Sequence, residues 1–88
     1  MGKQAKLLKK LLSGSKNIRF DDFVTLLVAF GFELKRTRGS HRVFKHPSVP
    51  KPFPIQPKAN GQAKIYQIQQ FLKLIEQYEL KLEEDGEE

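Results

Sequence analysis

Leu7, Leu8, Leu11 and Leu12 recur at three- and four-residue spacing, which predicts a short amphipathic helix over about Lys3 to Leu12. Ser13-Gly14-Ser15 ends it. Phe20, Phe23, Val24, Leu27 and Phe30 fall on one face of a second helix, about Phe20 to Phe30. Asp21 and Asp22 suit the positive end of its dipole. Gly31 is placed as a left-handed terminator, with Phe32 folding back on Leu27 in a Schellman arrangement.

The period then changes to two. Phe32 to Thr37 alternates, Phe32 and Leu34 on the side opposite Glu33 and Lys35. Arg38-Gly39-Ser40 predicts a tight turn, and His41 to His46 the returning strand. Lys51 to Gln56 carries Phe53 and Ile55 on one face, while Pro52 and Pro54 confine it to a sheet edge. A loop through Pro57, Asn60 and Gly61 leads to a final helix. There Ile65, Ile68, Phe71, Leu72, Ile75, Tyr78 and Leu82 form an apolar stripe of almost five turns. The pattern is an α+β fold: a three-stranded antiparallel sheet with helices on one face and the other face open.

At 88 residues the chain holds one small domain, read here as residues 1–82, with an acidic tail over 83–88. Cysteine is absent, so disulfides and thiolate metal sites are excluded. Seven phenylalanines must supply much of the core volume. The N-terminal leucines are interrupted by Lys9 and Lys10, unlike a signal-peptide core, and no stretch is apolar enough to span a bilayer. The expectation is a cytoplasmic protein with no membrane contact.

Net charge is +6, but its distribution says more. No acid occurs between Glu33 and Glu76, and Lys35, Arg36, Arg38, Arg42, Lys45, Lys51, Lys58 and Lys64 fall in that interval. A one-sign segment repels itself, so a polyanionic partner explains it better than a merely solvated surface does. On a strand His41 and Phe44 point to opposite faces. If Phe44 fills the core, His41 emerges on the open face, with Val43 and Lys45 on its own strand and Lys35 on the neighbouring one. An imidazole among cations, beside a flexible Gly39-Ser40 turn, can hold a phosphodiester and offer it one acid–base group.

The run GFELKRTRGSHRVFKHP resembles the signature of the HicA toxins, the RNA-cleaving halves of HicA–HicB toxin–antitoxin pairs. The matching residues are Gly31, Phe32, Gly39, Ser40, His41 and Phe44. Gln56-Pro57, Gly61-Gln62-Ala63-Lys64 and Tyr66-Gln67-Ile68 are similar to one branch of that family. The resemblance covers about residues 19–78. It implies a fold like a double-stranded-RNA-binding domain, α-β-β-β-α, here with an extra N-terminal helix. It also implies that His41 is catalytic, that mRNA is the substrate, and that a HicB-type antitoxin is the partner. Other branches often carry a second His near the end of the third strand, where this chain has Gln56.

His41 is therefore expected as the acid–base catalyst of an endoribonuclease. The expected RNA-binding residues are Lys35, Arg36, Arg38, Gly39, Ser40, Arg42, Lys45 and Lys58. His46 shares the inward parity of Phe44 and reads as a hydrogen-bonding strand-end residue; Ser40 reads first as turn-stabilising. No metal and no cofactor is expected, because the basic window offers no Asp, Glu or Cys. The alternative function is a non-catalytic RNA-binding module using the same basic sheet face. A third reading is a toxin-derived chain that persists as a regulatory binding partner.

Overall fold

The computed structural model describes residues 3–14 and 17–82. The elements run α1 (Lys3–Leu12), α2 (Phe20–Ala29), β1 (Glu33–Arg38), β2 (His41–His46), β3 (Val49–Ile55) and α3 (Ile65–Tyr78). The three strands form one antiparallel sheet in the order β1-β2-β3. The α+β class and the additional N-terminal helix agree with the sequence pattern. The acidic tail over 83–88 lies outside the described residues. No helix among the described residues is long and apolar enough to cross a membrane.

The passage from α2 into the sheet is fixed by backbone bonds. Gly31 adopts φ +95, a conformation that strains any L side chain. From it the Gly31 N–H donates to the Val28 carbonyl (2.9 Å) and the Phe32 N–H to the Leu27 carbonyl (3.0 Å). These are the two bonds of a Schellman cap. They turn Phe32 inward, where it is fully buried.

All seven phenylalanines are buried. Phe71 of α3 meets Phe23 of α2, Phe30 at its C-cap and Phe32 edge-on, at centroid distances of 5.6, 5.3 and 6.0 Å. Phe53 of β3 is edge-on to Phe23 at 6.4 Å. These contacts tie α2, α3 and the sheet into one aromatic layer, edge-to-face being the geometry that ring quadrupoles favour. Leu11 of α1 is buried in the same core, and α1 packs on α2.

Two expectations change. The last apolar stripe stops as a helix at Tyr78, short of Leu82. Glu79 takes a left-handed conformation (φ 53), and the Leu80 N–H donates to the Ile75 carbonyl. Leu80 folds back into the core, so its apolar side chain serves packing beyond the helix. In β1, Leu34 pairs with Phe44 and shares its face, yet it is 50% exposed, as β1 is open to solvent along its length. The edge strand lies beyond the helical cover.

Because Phe71 touches three rings, one in α2 and two in the capped end of that helix, Phe71→Ala should cost about 3–5 kcal/mol. That is a large share of the roughly 5–15 kcal/mol available to a domain. Urea denaturation followed by far-UV circular dichroism measures it, and a loss below about 1 kcal/mol would show that the ring cluster is not central to stability.

Candidate RNA-cleaving site

Gly39 and Ser40 form the two-residue turn between β1 and β2, flanked by the pair Arg38 and His41. Gly39 has φ +58 in the first central position and Ser40 is not left-handed, the pattern of a II′ turn, which favours glycine there. A Cβ on Gly39 would meet nothing within 4 Å, so the requirement for glycine at this turn is conformational and not steric.

Strand partners share a sheet face. Val43 pairs with Arg36, and His41 with Arg38. His41, Arg36 and Arg38 therefore emerge together on the face away from the helices, and all three are exposed. Directly opposed residues have Cβ atoms about 5 Å apart, so the Arg38 guanidinium can share one phosphate with the His41 ring.

Lys35 stays beside Glu33 and Lys45, on the face expected for it, but its charge is already engaged. The β1–β2 register shifts between Leu34 and Arg36, a bulge that leaves Lys35 without a partner on β2. Its ammonium instead donates to Glu33 Oε1 at 2.9 Å, the only ion pair among the described residues. That hydrogen bond, with the Lys35 charge, holds the Glu33 carboxyl below its ordinary range. Lys45 pairs with Glu33 and shares the open face. It is four residues along the strand from His41, roughly 13 Å.

Arg42 lies on the opposite face. Its partner is buried Ile55, and its guanidinium stacks over the Phe20 ring at 5.3 Å. Ser40 is exposed at the turn, and Lys58 is exposed in the loop that leaves β3.

At the other side of His41 stands Gln56. Ile55 pairs with Arg42, so the next register position of β3 lies alongside His41. The Gln56 N–H donates to Oε1 of the buried Gln67 (3.1 Å), and Gln67 Nε2 reaches the Tyr66 hydroxyl (3.4 Å). Bridges from Pro57 to Ala63 and from Arg19 to Gln62 hold the rest of this loop against the start of α2. Arg19, an exposed cation not singled out from the sequence, reaches this end of the molecule by that route. No motif announces such pairing between segments more than forty residues apart.

His46 has a different fate. It is buried; its Nδ1 accepts the Ser48 N–H (3.0 Å) and its Nε2 donates to the Phe30 carbonyl (2.9 Å). An Nδ1 that accepts carries no proton, so His46 is the neutral Nε2–H tautomer. It joins the end of α2 to the β2–β3 turn, the structural role that its parity predicts.

A search of curated proteins and a search of solved structures each return no match. A family model describing the HicA toxin of bacterial toxin–antitoxin systems matches residues 20–77. The match begins with α2, ends within the last turn of α3, and includes the whole sheet and the His41 turn. With well over half of its residues matched, the chain belongs to the HicA toxin family of bacterial toxin–antitoxin systems.

Proposed function

We propose that this toxin is a metal-independent endoribonuclease that cleaves mRNA with His41 as its acid–base group. The observation that carries the reading is the pairing of His41 with Arg38 across the Gly39-Ser40 turn, with Arg36 on the same open face. Two guanidiniums can engage phosphate oxygens with planar, forked hydrogen bonds. The imidazole beside them is exposed to substrate. Among the described residues no three of His, Cys, Asp and Glu come together, so the reading routes the reaction through side chains.

In the proposed step the ribose 2′-hydroxyl gives its proton to His41 and its oxygen attacks the adjacent phosphorus. The bond from phosphorus to the 5′-oxygen breaks. A 2′,3′-cyclic phosphate and a 5′-hydroxyl result, the leaving oxygen receiving a proton from the imidazolium. The arginines offset the charge that gathers on the phosphoryl oxygens. General acid–base help contributes roughly a hundred- to ten-thousand-fold, so positioning by the rigid hairpin supplies the remainder. Gln56 can hydrogen-bond there but holds no titratable proton, which leaves His41 as the proton carrier.

The family implies an antitoxin partner. In this reading it is a HicB-type protein that covers the His41 face. An acidic surface would be steered there by the charges that attract RNA.

Purified protein in excess EDTA should cleave single-stranded mRNA, and His41→Ala should abolish cleavage while keeping the fold and RNA affinity. Gel analysis of end-labelled RNA reads the first, filter binding the second. Full cleavage by folded His41→Ala removes the assignment.

Affinity for single-stranded RNA should fall with salt at a logarithmic slope of about −0.7 per phosphate neutralised. Arg36→Ala and Arg38→Ala should each reduce the slope by about one contact. Lys35→Ala should change it less, as Glu33 already engages that ammonium. Equal effects of all three would show that the Glu33 ion pair does not withhold Lys35 from RNA in solution.

A further inference from the structure

The sheet has two outer edges, and their backbones differ. In a two-residue hairpin the flanking residues exchange both backbone hydrogen bonds. Arg38 and His41 are that pair, so the main-chain groups of Val43 also face β1, while those of Arg42 and Phe44 face β3. On β3, Ile55 and Phe53 answer them. Pro54, opposite Val43, must then turn its main chain outward. Beyond Phe53 the register shifts before His46 meets Val49, and Pro50 and Pro52, which have no N–H, fall in that irregular stretch. With three prolines in seven residues, the outer edge of β3 is poor in N–H donors and cannot complete a regular ladder with another strand.

The edge of β1 has no proline, and its one irregularity is the bulge at Lys35 between Leu34 and Arg36. By the same alternation Arg38 and Arg36 bond inward to β2, and the main chains of Thr37 and Leu34 face solvent with both N–H and carbonyl available. Every residue of β1 is exposed, and no described segment pairs with its outer side. On one face this edge presents Arg36 and Arg38, neither in an ion pair among the described residues. On the other it presents half-exposed Leu34, an apolar anchor. A second copy of this chain would set Arg36 and Arg38 against their own kind, and like charges opposed across a ladder are destabilising.

We propose that the outer edge of β1 accepts an acidic β-strand of the antitoxin as a fourth strand of the sheet. The added strand places carboxylates beside Arg36 and Arg38 and an apolar side chain against Leu34, while main-chain bonds to Leu34 and Thr37 supply affinity. It lies next to the strand that pairs with His41, so its acidic face competes for the guanidiniums that would hold RNA. The proposal rests on the toxin reading for its partner and not on catalysis.

Thr37→Pro tests it, because proline at an outward-facing edge position removes one donor without breaking the ladder to β2, as Pro54 already does on β3. Thr37→Val keeps the N–H. With a separately purified HicB-type cognate antitoxin, calorimetric titration should show at least tenfold weaker binding for Thr37→Pro and wild-type binding for Thr37→Val. Hydrogen exchange on the wild-type complex should show the Leu34 and Thr37 amides newly protected, and this decides the matter if Thr37→Pro does not fold. Equal affinity of folded Thr37→Pro, unprotected amides, or no binding by the wild-type chain overturns the proposal. So does protection already present in the isolated chain and lost on dilution, which would assign the edge to a second copy. Loss of RNA cleavage in the wild-type protein would overturn the enzymatic reading alone, since these measurements report binding only.

Discussion

The contact of Phe71 with Phe23, Phe30 and Phe32 commits one face of a three-stranded sheet to the core. A chain of this size has apolar volume for a single covered layer. The rings provide it, drawing α2 and α3 onto the same side of β2 and β3. Among the described residues no helix covers the opposite sheet face. Polar and charged residues must occupy it, and what they are decides what the protein can bind.

On β2 this division separates two histidines that composition alone would treat alike. His46 shares the buried side of Phe44 and spends both ring nitrogens on backbone groups. His41, five residues earlier, has the opposite parity and no such obligation. The first has been made part of the scaffold, and the second is free to meet a ligand. Arg42 shows the same rule in reverse: its alternation with His41 sends it to the helical side, where the Phe20 ring accepts its charge. A cation stacked on an aromatic face at a partly exposed site gains about 0.5–1 kcal/mol. Arg42 therefore stabilises the hairpin against α2 without adding to the charge of the open face.

Most of the architecture was legible because it rests on periodicity. Two spacings distinguish the helices from the strands, Gly31 and the Gly39-Ser40 turn punctuate them, and Phe44 fixes which way His41 points. What escaped depends on terms that act across the fold. The bulge at Lys35 leaves no trace in the alternation of β1, yet it brings Arg36 and Arg38 onto the face of His41. The end of α3 is set by Leu80 finding the core, not by a helix breaker. Gln67 reads as an ordinary polar helix residue, and only burial against the end of β3 shows it holding Gln56 beside His41. In each case the local signal was weak and tertiary packing prevailed.

The cost of gathering cations on one face is small enough to be carried by such a core. Arg36 and Arg38 sit two residues apart on a strand, about 7 Å. Two like charges at that separation in water repel by roughly 0.6 kcal/mol, and diverging side chains reduce this further. The phenylalanine layer alone, with several edge-to-face pairs, contributes more than that. Stability therefore places little limit on the charge of the open face, so the absence of any acid from Leu34 to Ile75 needs a cause outside folding. A ligand that returns a favourable contact for each cation supplies it. Phosphates spaced along a single strand of RNA fit a row of arginines on a β-strand, and an acidic strand laid along the same edge meets the same row. In the proposed reading substrate and inhibitor share one recognition surface, because among the described residues one face and one edge of the sheet are uncovered with their hydrogen-bonding groups available.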